Sequence, residues 1–208
     1  KIRKIDSILQ LDGRLGEHFF PWWSKGHTFL ELGKFEEALK CFDKAIELGL
    51  DNYEVFCAKG VAFANLGKFE EAIMYYDKAI DLDTEKEFTS ETWYNKGQIY
   101  LHLGQHEDAI KCYTKVTELN PKHDYAWDNM GVMLIALGKL EEAIECFDES
   151  IKANPTGEGW YNKGDSLLKL GRYKEALECY DKATKIHPVD TDAWYYKGLV
   201  LQKLGKDK

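Results

Sequence analysis

The residues with the clearest chemical pattern are three asparagines spaced 34 and 33 residues apart: Asn95, Asn129 and Asn162. Each carboxamide offers hydrogen-bond donors and an acceptor, so it can bond both polar groups of a peptide unit. A regular row of such side chains could hold the backbone of an extended peptide whatever its side chains are. The alternative is that asparagine here is only an exposed helical residue, and the sequence leaves both interpretations open.

Five cysteines raise the question of disulfides. Cys57 stands apart and no Cys-x-x-Cys pair occurs, whereas the other four share one position of a recurring unit: Cys41, Cys112, Cys146 and Cys179. Cysteines one unit apart would exceed the Cα separation of about 4.4–6.8 Å that a disulfide requires. We therefore expect free thiols that fill a core in a reducing compartment.

Two histidines, His102 and His106, have the four-residue spacing of a metal-binding pair on a helix. Gly104 lies between them, where a helix is expected to end, so the two side chains would not share a face. No glycine-rich phosphate loop and no nucleophile with a positioned histidine stands out. The sequence therefore predicts no metal site, no cofactor and no enzymatic activity.

The formal net charge of −8 disfavours a nucleic-acid partner. The basic residues are spread once per unit and do not form a stripe, and we expect the most regular of them to be ordinary solvated lysines: Lys25, Lys59, Lys96, Lys163 and Lys197. The sequence contains no run of 18 apolar residues, so it predicts no membrane-spanning helix. We expect a cytoplasmic protein.

Glycines and aromatic residues recur with a period near 34 residues. One glycine set is spaced 33 to 37 residues apart: Gly26, Gly60, Gly97, Gly131, Gly164 and Gly198. With Gly157 as position 1 of a unit, these glycines take position 8, a second glycine takes position 15, alanine takes position 20 and an aromatic residue takes position 24. Apolar residues on both sides of position 15 step by three and four, which predicts a helix, a tight turn and a second helix. Glycine inside a helix is unfavourable, so we expect the two helices to cross closely at position 8 and the alanine at position 20.

This pattern, with tryptophan at position 4 and proline at position 32, resembles the tetratricopeptide repeat (TPR) family over about residues 19–205. The resemblance implies an all-α solenoid in which antiparallel helix pairs coil into a right-handed superhelix. It also implies that the first helix of each pair lines a concave groove. Phe56 replaces the tryptophan of one repeat, and His106 and Leu140 replace the aromatic residue at position 17.

We predict one array that occupies residues 1–208 and is a piece of a longer protein. It comprises five full repeats between two half repeats. Residues 1–13 would form a second helix without its first, and residues 191–205 a first helix without its second. Three extra residues, about Glu87 to Thr89, would separate two of the full repeats, whose ranges are 19–52, 53–86, 90–123, 124–156 and 157–190.

If the family geometry holds, the groove is aromatic, amide-rich and mildly acidic. The predicted contacts are Asn95, Asn129, Asn162, Tyr94, Asp128, Tyr161, Gln98, Asp165, Trp23 and Tyr195. The asparagines resemble the asparagine ladder in the repeat domain of O-linked N-acetylglucosamine transferases, although the ladder is incomplete because Ser24, Ala58 and Tyr196 hold the same position in the other repeats. A clamp for a terminal carboxylate is not supported, because the groove positions that would hold it carry no lysine or arginine. The electrostatics favour a neutral or basic partner with apolar side chains.

Three functions remain open. The first is a non-catalytic scaffold that binds an extended peptide or a partner helix in its groove. The second is a substrate-recruiting arm of a larger enzyme such as a glycosyltransferase. The third is self-assembly into homo-oligomers, because the half repeats would leave apolar faces uncovered at both ends.

Overall fold

The computed structural model describes residues 18–83 and 89–206. Within these ranges all regular secondary structure is helical, so the all-α prediction is confirmed. The eleven described helices are α1 (Phe19–Glu31), α2 (Phe35–Glu47), α3 (Tyr53–Asn65), α4 (Phe69–Leu82), α5 (Thr89–His102), α6 (His106–Leu119), α7 (Asp124–Ala136), α8 (Leu140–Ala153), α9 (Gly157–Lys169), α10 (Tyr173–Ile186) and α11 (Thr191–Lys206). The predicted helix within residues 1–13 lies outside the described residues, as do all but one of the residues predicted as an insertion.

The chain forms two compact units, with the boundary between Ile99 and Tyr100 inside α5. In the first unit α1 packs on α2 and α3 packs on α4, and in the second unit α7 packs on α8 and α9 packs on α10. The turns inside these pairs are short, so the paired helices run antiparallel. Each turn contains the position-15 glycine with φ near +70°, a conformation that glycine adopts without steric cost.

The position-8 glycines make room for an aromatic ring. A Cβ atom added at Gly131 would lie 2.6 Å from the ring of Phe147, and one added at Gly164 would lie 3.0 Å from the ring of Tyr180. The same holds in the first unit for Gly26 under Phe42 and for Gly60 under Tyr76, each at 2.5 Å. The ring at position 24 is therefore the nearest neighbour of each of these glycines, a contact that the sequence analysis did not specify. The ring at position 24 fills the space, although the alanines are also fully buried.

The cores of both units are built from the same positions of the second helix. Alanine at 20, the aromatic ring at 24 and the residue at 27 are buried in every described repeat. All five cysteines are free thiols, four of them buried at position 23. Burial raises the pKa of the Cys179 thiol to about 11, which keeps it protonated and weakly reactive near neutral pH.

The position-7 lysines are not ordinary solvated residues, which corrects the expectation from the sequence. Lys59 is only 4% exposed and Lys96 only 8%. The Lys59 ammonium donates to Asp43 Oδ1 at 2.5 Å and to the Tyr75 hydroxyl at 2.8 Å. The same pairing, between position 7 and the aspartate at position 25 of the preceding second helix, joins Lys96 to Asp77, Lys163 to Asp148 and Lys197 to Asp181.

Among the repeat junctions that the structure describes, one lacks this ion pair, and both partners are replaced together. Met130 takes the position of the lysine and Thr114 the position of the aspartate. Removing both charges avoids leaving a buried lysine without its carboxylate, which would be costly. The ion pair is therefore a recurring contact in the interface between successive repeats, and an uncharged pair of side chains can take its place.

We predict that Gly131→Ala lowers the free energy of unfolding by about 1–3 kcal/mol, because the new methyl group overlaps the ring of Phe147. Gly198→Ala is the matched control, since no described atom lies within 4 Å of a Cβ added there. The control should be neutral or stabilising by up to about 1 kcal/mol. Urea denaturation followed by circular dichroism measures both changes. Equal effects at the two glycines would contradict the assigned role of the ring.

We predict that Asp43→Thr destabilises the protein by about 1–3 kcal/mol, because it removes the carboxylate from the buried Lys59 ammonium. The double variant Lys59→Met/Asp43→Thr copies the Met130 and Thr114 pair and should recover much of this loss. Glu47→Gln, which breaks an exposed ion pair with Lys44, should change stability by less than about 0.5 kcal/mol. Additive single and double effects in urea denaturation would show that Lys59 and Asp43 do not form a coupled pair.

Candidate functional site

The second unit contains an acidic pocket of about 460 Å³ at the start of three successive first helices, α7, α9 and α11. Side chains from these helices and from the turns before them form its wall. The lining residues are Asp124, Tyr125, Asp128, Thr156, Glu158, Tyr161, His187, Asp190 and Asp192. Among these nine described residues, five carry carboxylates and none is lysine or arginine.

Capping hydrogen bonds hold the start of each helix in place. The Thr156 hydroxyl accepts from the backbone N–H of Gly159 at 3.0 Å, and His123 Nδ1 accepts from that of Ala126 at 3.2 Å. Asp190 Oδ1 accepts from the backbone N–H groups of Asp192 and Ala193. These bonds satisfy N–H groups that have no partner inside the helix, so the acidic residues of each first turn are held on ordered backbone.

Tryptophan side chains fix two of the turns that lead into the pocket. The indole N–H of Trp127 donates to the carbonyl oxygen of Pro121 at 3.0 Å, and that of Trp194 donates to the carbonyl of Pro188 at 2.9 Å. Both bonds join position 4 of one repeat to the proline at position 32 of the preceding repeat. The turn before the first helix is thereby tied to the helix itself.

Asp128 is the most perturbed carboxyl group of the pocket. Burial raises its pKa to about 6; the neighbouring Ser150 hydroxyl opposes this shift, and the charges of Glu158 and Asp124 add to it. The side chain extends from α7 towards α9, since Asp128 Oδ1 lies 3.6 Å from a Cβ added at Gly159. A cation in the pocket would favour the ionised form of this carboxyl group.

Tyr161 lies in the same wall. Burial raises the pKa of its hydroxyl to about 12, and the charges of Tyr196, Asp165 and Asp192 add to the shift. Its ring packs 6.0 Å from that of Tyr180 and 5.9 Å from that of Tyr196. Tyr161 is therefore a neutral side chain that packs against aromatic neighbours and forms part of the pocket wall.

The first unit contains a smaller, apolar pocket of about 260 Å³ on α1 and α3. Its lining residues are Trp23, His27, Leu30, Tyr53, Glu54, Cys57, Ala58 and Val61. The His27 ring meets that of Trp23 edge to face at 4.0 Å between centroids. Burial lowers the pKa of His27, although the charge of Glu31 opposes the shift, so this histidine is neutral near pH 7.

The structure places two of the predicted contact residues, Asp128 and Tyr161, in the acidic pocket and a third, Trp23, in the apolar pocket. Tyr94 and Gln98 lie on α5, where the Gln98 amide donates to the Tyr94 hydroxyl at 2.7 Å. Asp165 is paired with Lys169 at 2.7 Å, and Tyr195 is 66% exposed on α11.

The three asparagines are all half-buried, Asn95 on α5, Asn129 on α7 and Asn162 on α9. None of them lines the acidic pocket. Whether they contact a ligand stays a prediction.

The predicted contact set omitted the other seven lining residues. Three lie in the first turns of the helices, Tyr125, Glu158 and Asp192, and four lie at the repeat junctions, Asp124, Thr156, His187 and Asp190. Reasoning from the inner faces of the first helices reaches neither the first residue of a helix, such as Asp124, nor the residues of the preceding turn. A sequence signal for these pocket residues was available: capping side chains recur next to acidic residues at the start of each of these helices. Caps hold the first turn in place, so the acidic residues beside them are held in place as well.

No helix among the described residues is long and apolar enough to cross a membrane. Within those same residues, no three His, Cys, Asp or Glu side chains are grouped in a way that could hold a metal ion.

Comparison with protein families identifies the repeats. Profiles described as tetratricopeptide repeat match residues 24–86, 90–123, 124–156 and 157–189, which together exceed half of the chain. A search of curated protein sequences found no significant match.

Solved structures share the fold. YrrB, described as a TPR protein with an unusual peptide-binding site, is 23% identical with a TM-score of 0.76, over 95% of this chain and 100% of its own. A fragment of MamA from Desulfovibrio magneticus RS-1 is 22% identical with a TM-score of 0.72, over 83% and 97%. The C-terminal part of a TPR repeat-containing protein from Cytophaga hutchinsonii is 16% identical with a TM-score of 0.78, over 89% and 72%.

At these identities the likeness establishes the fold. The family and the fold together support a protein-interaction scaffold built from stacked helix pairs. The chain belongs to the tetratricopeptide repeat family.

Proposed function

We propose that this protein is a non-catalytic scaffold that binds an extended segment of a partner protein along its first helices. The acidic pocket carries the proposal, because three successive first helices contribute their first turns to one cavity. YrrB, which shares the fold, is described as having a peptide-binding site, and this agrees with peptide binding as the mode of recognition here.

The pocket suits a lysine or arginine side chain of the partner. Five carboxylates line a cavity that contains no lysine or arginine among its described residues, so a guest cation would meet uncompensated negative charge. The rings of Tyr125 and Tyr161 offer surfaces for the aliphatic stem and for cation–π contact. Recognition would therefore combine charge with shape, as is usual where a charged side chain anchors a peptide.

The apolar pocket of the first unit suits an uncharged side chain. Trp23, Leu30 and Val61 supply apolar surface, and His27 is neutral near pH 7. A volume of about 260 Å³ accommodates one large aliphatic or aromatic side chain. A partner with both basic and apolar side chains would use both kinds of pocket.

We predict that a fluorescein-labelled peptide of sequence Ala-Lys-Phe-Lys-Leu-Lys-Ala binds this protein and that its counterpart with glutamate in place of lysine does not. The triple variant Asp128→Asn/Glu158→Gln/Asp192→Asn should weaken binding at least about tenfold, or about 1.4 kcal/mol, because it removes three pocket charges. Fluorescence anisotropy measures the affinity. Glu178→Gln, an exposed charge on α10 outside the pocket, is the control and should leave affinity unchanged.

Equal binding of the basic and acidic peptides, or full affinity in the triple variant, would contradict a cation-binding pocket. Asn129→Ala/Asn162→Ala tests the asparagine row in the same assay. Weaker binding with unchanged helicity would support backbone contacts from these amides. Unchanged affinity would remove the asparagine row from the proposal and leave the pocket in place.

We predict that the stability of the protein falls as the pH rises from about 4 to about 6, relative to Asp128→Asn. The pKa of Asp128 is raised to about 6 by folding from its ordinary value near 3.8, so the unfolded chain loses this proton first and unfolding is favoured over that interval. Well below pH 3.8 the carboxyl is protonated in both states, so the difference between the proteins should be smallest at the lowest pH.

Above pH 7 the difference should be constant, with Asp128→Asn the more stable protein. Thermal melting followed by circular dichroism at pH 3.5, 5 and 7.5 gives the comparison. A stability difference that does not change with pH would show that Asp128 titrates like an exposed aspartate.

A further inference from the structure

The repeat at residues 124–156 carries two residue types that the other full repeats lack at the same positions. Position 5 of its first helix is an aspartate, Asp128, where the other full repeats carry an aromatic residue or cysteine. Position 27 of its second helix is a serine, Ser150, where they carry alanine or valine. A carboxyl group on one helix is therefore accompanied by a hydroxyl group on the other.

The glycine–ring contact places these two residues opposite each other. Gly131 on α7 packs against the ring of Phe147 on α8, and the two helices run antiparallel. Asp128 lies three residues before Gly131, and Ser150 lies three residues after Phe147. Each is thus about one helical turn from the contact, in the same direction along the helix pair. The carboxyl and hydroxyl groups consequently lie at the same level of the interface between α7 and α8.

The two groups share a buried environment in which each needs a partner. Ser150 is 0% exposed, and neither its Oγ nor Asp128 Oδ1 has a hydrogen-bond partner among the described residues. A buried donor or acceptor without a partner is unfavourable, and a hydroxyl hydrogen rotates to suit an acceptor. The Ser150 hydroxyl is near enough to lower the pKa of Asp128. Each group is thus the hydrogen-bond partner available to the other.

We propose that Ser150 is a positioning residue of the acidic pocket: its hydroxyl donates a hydrogen bond to Asp128 Oδ1 and holds this carboxylate ionised and oriented for a basic side chain of the partner. A hydrogen bond to the ionised form of a carboxyl group favours that form. Without the bond, burial keeps Asp128 neutral over a wider pH range, and a neutral carboxyl group attracts a cation less. The inference rests on the function proposed above, because the cation is the partner's lysine or arginine.

The other charged groups of the pocket act on Asp128 in the opposite sense. The titratable residues that line the pocket with it come from α7, α9, the turn before α11 and α11 itself: Asp124, Glu158, Tyr161, His187, Asp190 and Asp192. Like charges disfavour ionisation of a carboxyl group, and those of Glu158 and Asp124 raise the pKa of Asp128. The uncharged Ser150, from α8, favours ionisation against these acidic neighbours.

Ser150→Ala tests this role without a change of fold, because alanine is fully buried at the same position in three other repeats, as Ala45, Ala79 and Ala183. The pKa of Asp128 is measured in the full chain without peptide, from the ¹³C shift of its carboxyl carbon in aspartate-labelled protein. The spectrum of Asp128→Asn identifies the signal. We expect this pKa to rise by about 0.5–1 in Ser150→Ala, since a hydrogen bond to the ionised form is lost.

The lysine-containing peptide introduced above reports on binding. Ser150→Ala should weaken its binding about two- to fivefold at pH 6, because a smaller fraction of Asp128 is ionised, and should change it little at pH 8. In the Asp128→Asn background the same substitution should have no effect at either pH. Ser166→Ala is the matched control and should alter neither the pKa nor the affinity. Ser166 is a fully buried serine on α9, outside the pocket lining, that donates to the backbone carbonyl of Asn162 at 3.0 Å.

An unchanged or lower pKa of Asp128 in Ser150→Ala would overturn the proposal. Equal losses of affinity at pH 6 and pH 8, or a loss in the Asp128→Asn background, would also overturn it, since Ser150 would then act through packing alone. A raised pKa together with no binding of the peptide to the unsubstituted protein would contradict the proposed function and support the bond between Ser150 and Asp128. The two proposals can therefore fail separately.

Discussion

An aromatic ring packed on a mid-helix glycine is the contact on which the rest of the structure depends. It sets how closely the two helices of a repeat approach, and it recurs at the same position in both compact units. Glycine inside a helix costs about 1 kcal/mol relative to alanine. Complete burial of a phenylalanine-sized side chain contributes about 1.5–3 kcal/mol, so the gain from the ring exceeds the cost of the glycine. The fully buried rings of Phe42, Phe147 and Tyr180 are consistent with this balance.

The interface between repeats is of a different kind. It uses a lysine that enters from the first helix and meets an aspartate on the preceding second helix, with the lysine stem buried and the aspartate partly in solvent. Removing one partner of such a pair is costly because the lysine charge stays buried, whereas replacing both partners can be neutral. The glycine–ring contact and the lysine–aspartate pair recur from one repeat to the next. Successive first helices of the second unit therefore bring their first turns together. The acidic pocket is a consequence of that stacking and of the acidic residues that open each of these helices.

Much of this architecture was predictable from the sequence, because helix, turn and repeat length follow from local spacing. The position-15 glycines, the free cysteines and the all-helical fold are of this kind. The ring that packs on Gly131 was not predictable, since the spacing does not show which large residue of the second helix lies over the glycine; the crossing geometry places Phe147 there. The burial of Lys59 was also missed, because a lysine stem packs equally well with its ammonium in water or on a carboxylate.

The candidate site likewise contains residues that could be predicted from the sequence and residues that could not. Asp128 and Tyr161 were predicted from the face of the first helix, and the structure brings them into one cavity. Asp124, Thr156, His187 and Asp190 were not predicted, because their positions depend on how one repeat ends against the next. Periodicity within a helix carries no information about that junction. The pKa of Asp128 likewise depends on burial between helices that are distant in sequence.

Nuclear Overhauser contacts between glycine Hα protons and aromatic ring protons test the central claim most directly. With glycine and aromatic residues selectively labelled, dilute protein should give contacts from Gly26 to Phe42, Gly60 to Tyr76, Gly131 to Phe147 and Gly164 to Tyr180, and none from Gly198. If these four glycines showed no contact with their rings, or the same contacts as Gly198, the ring would not be what sets the helix pairing.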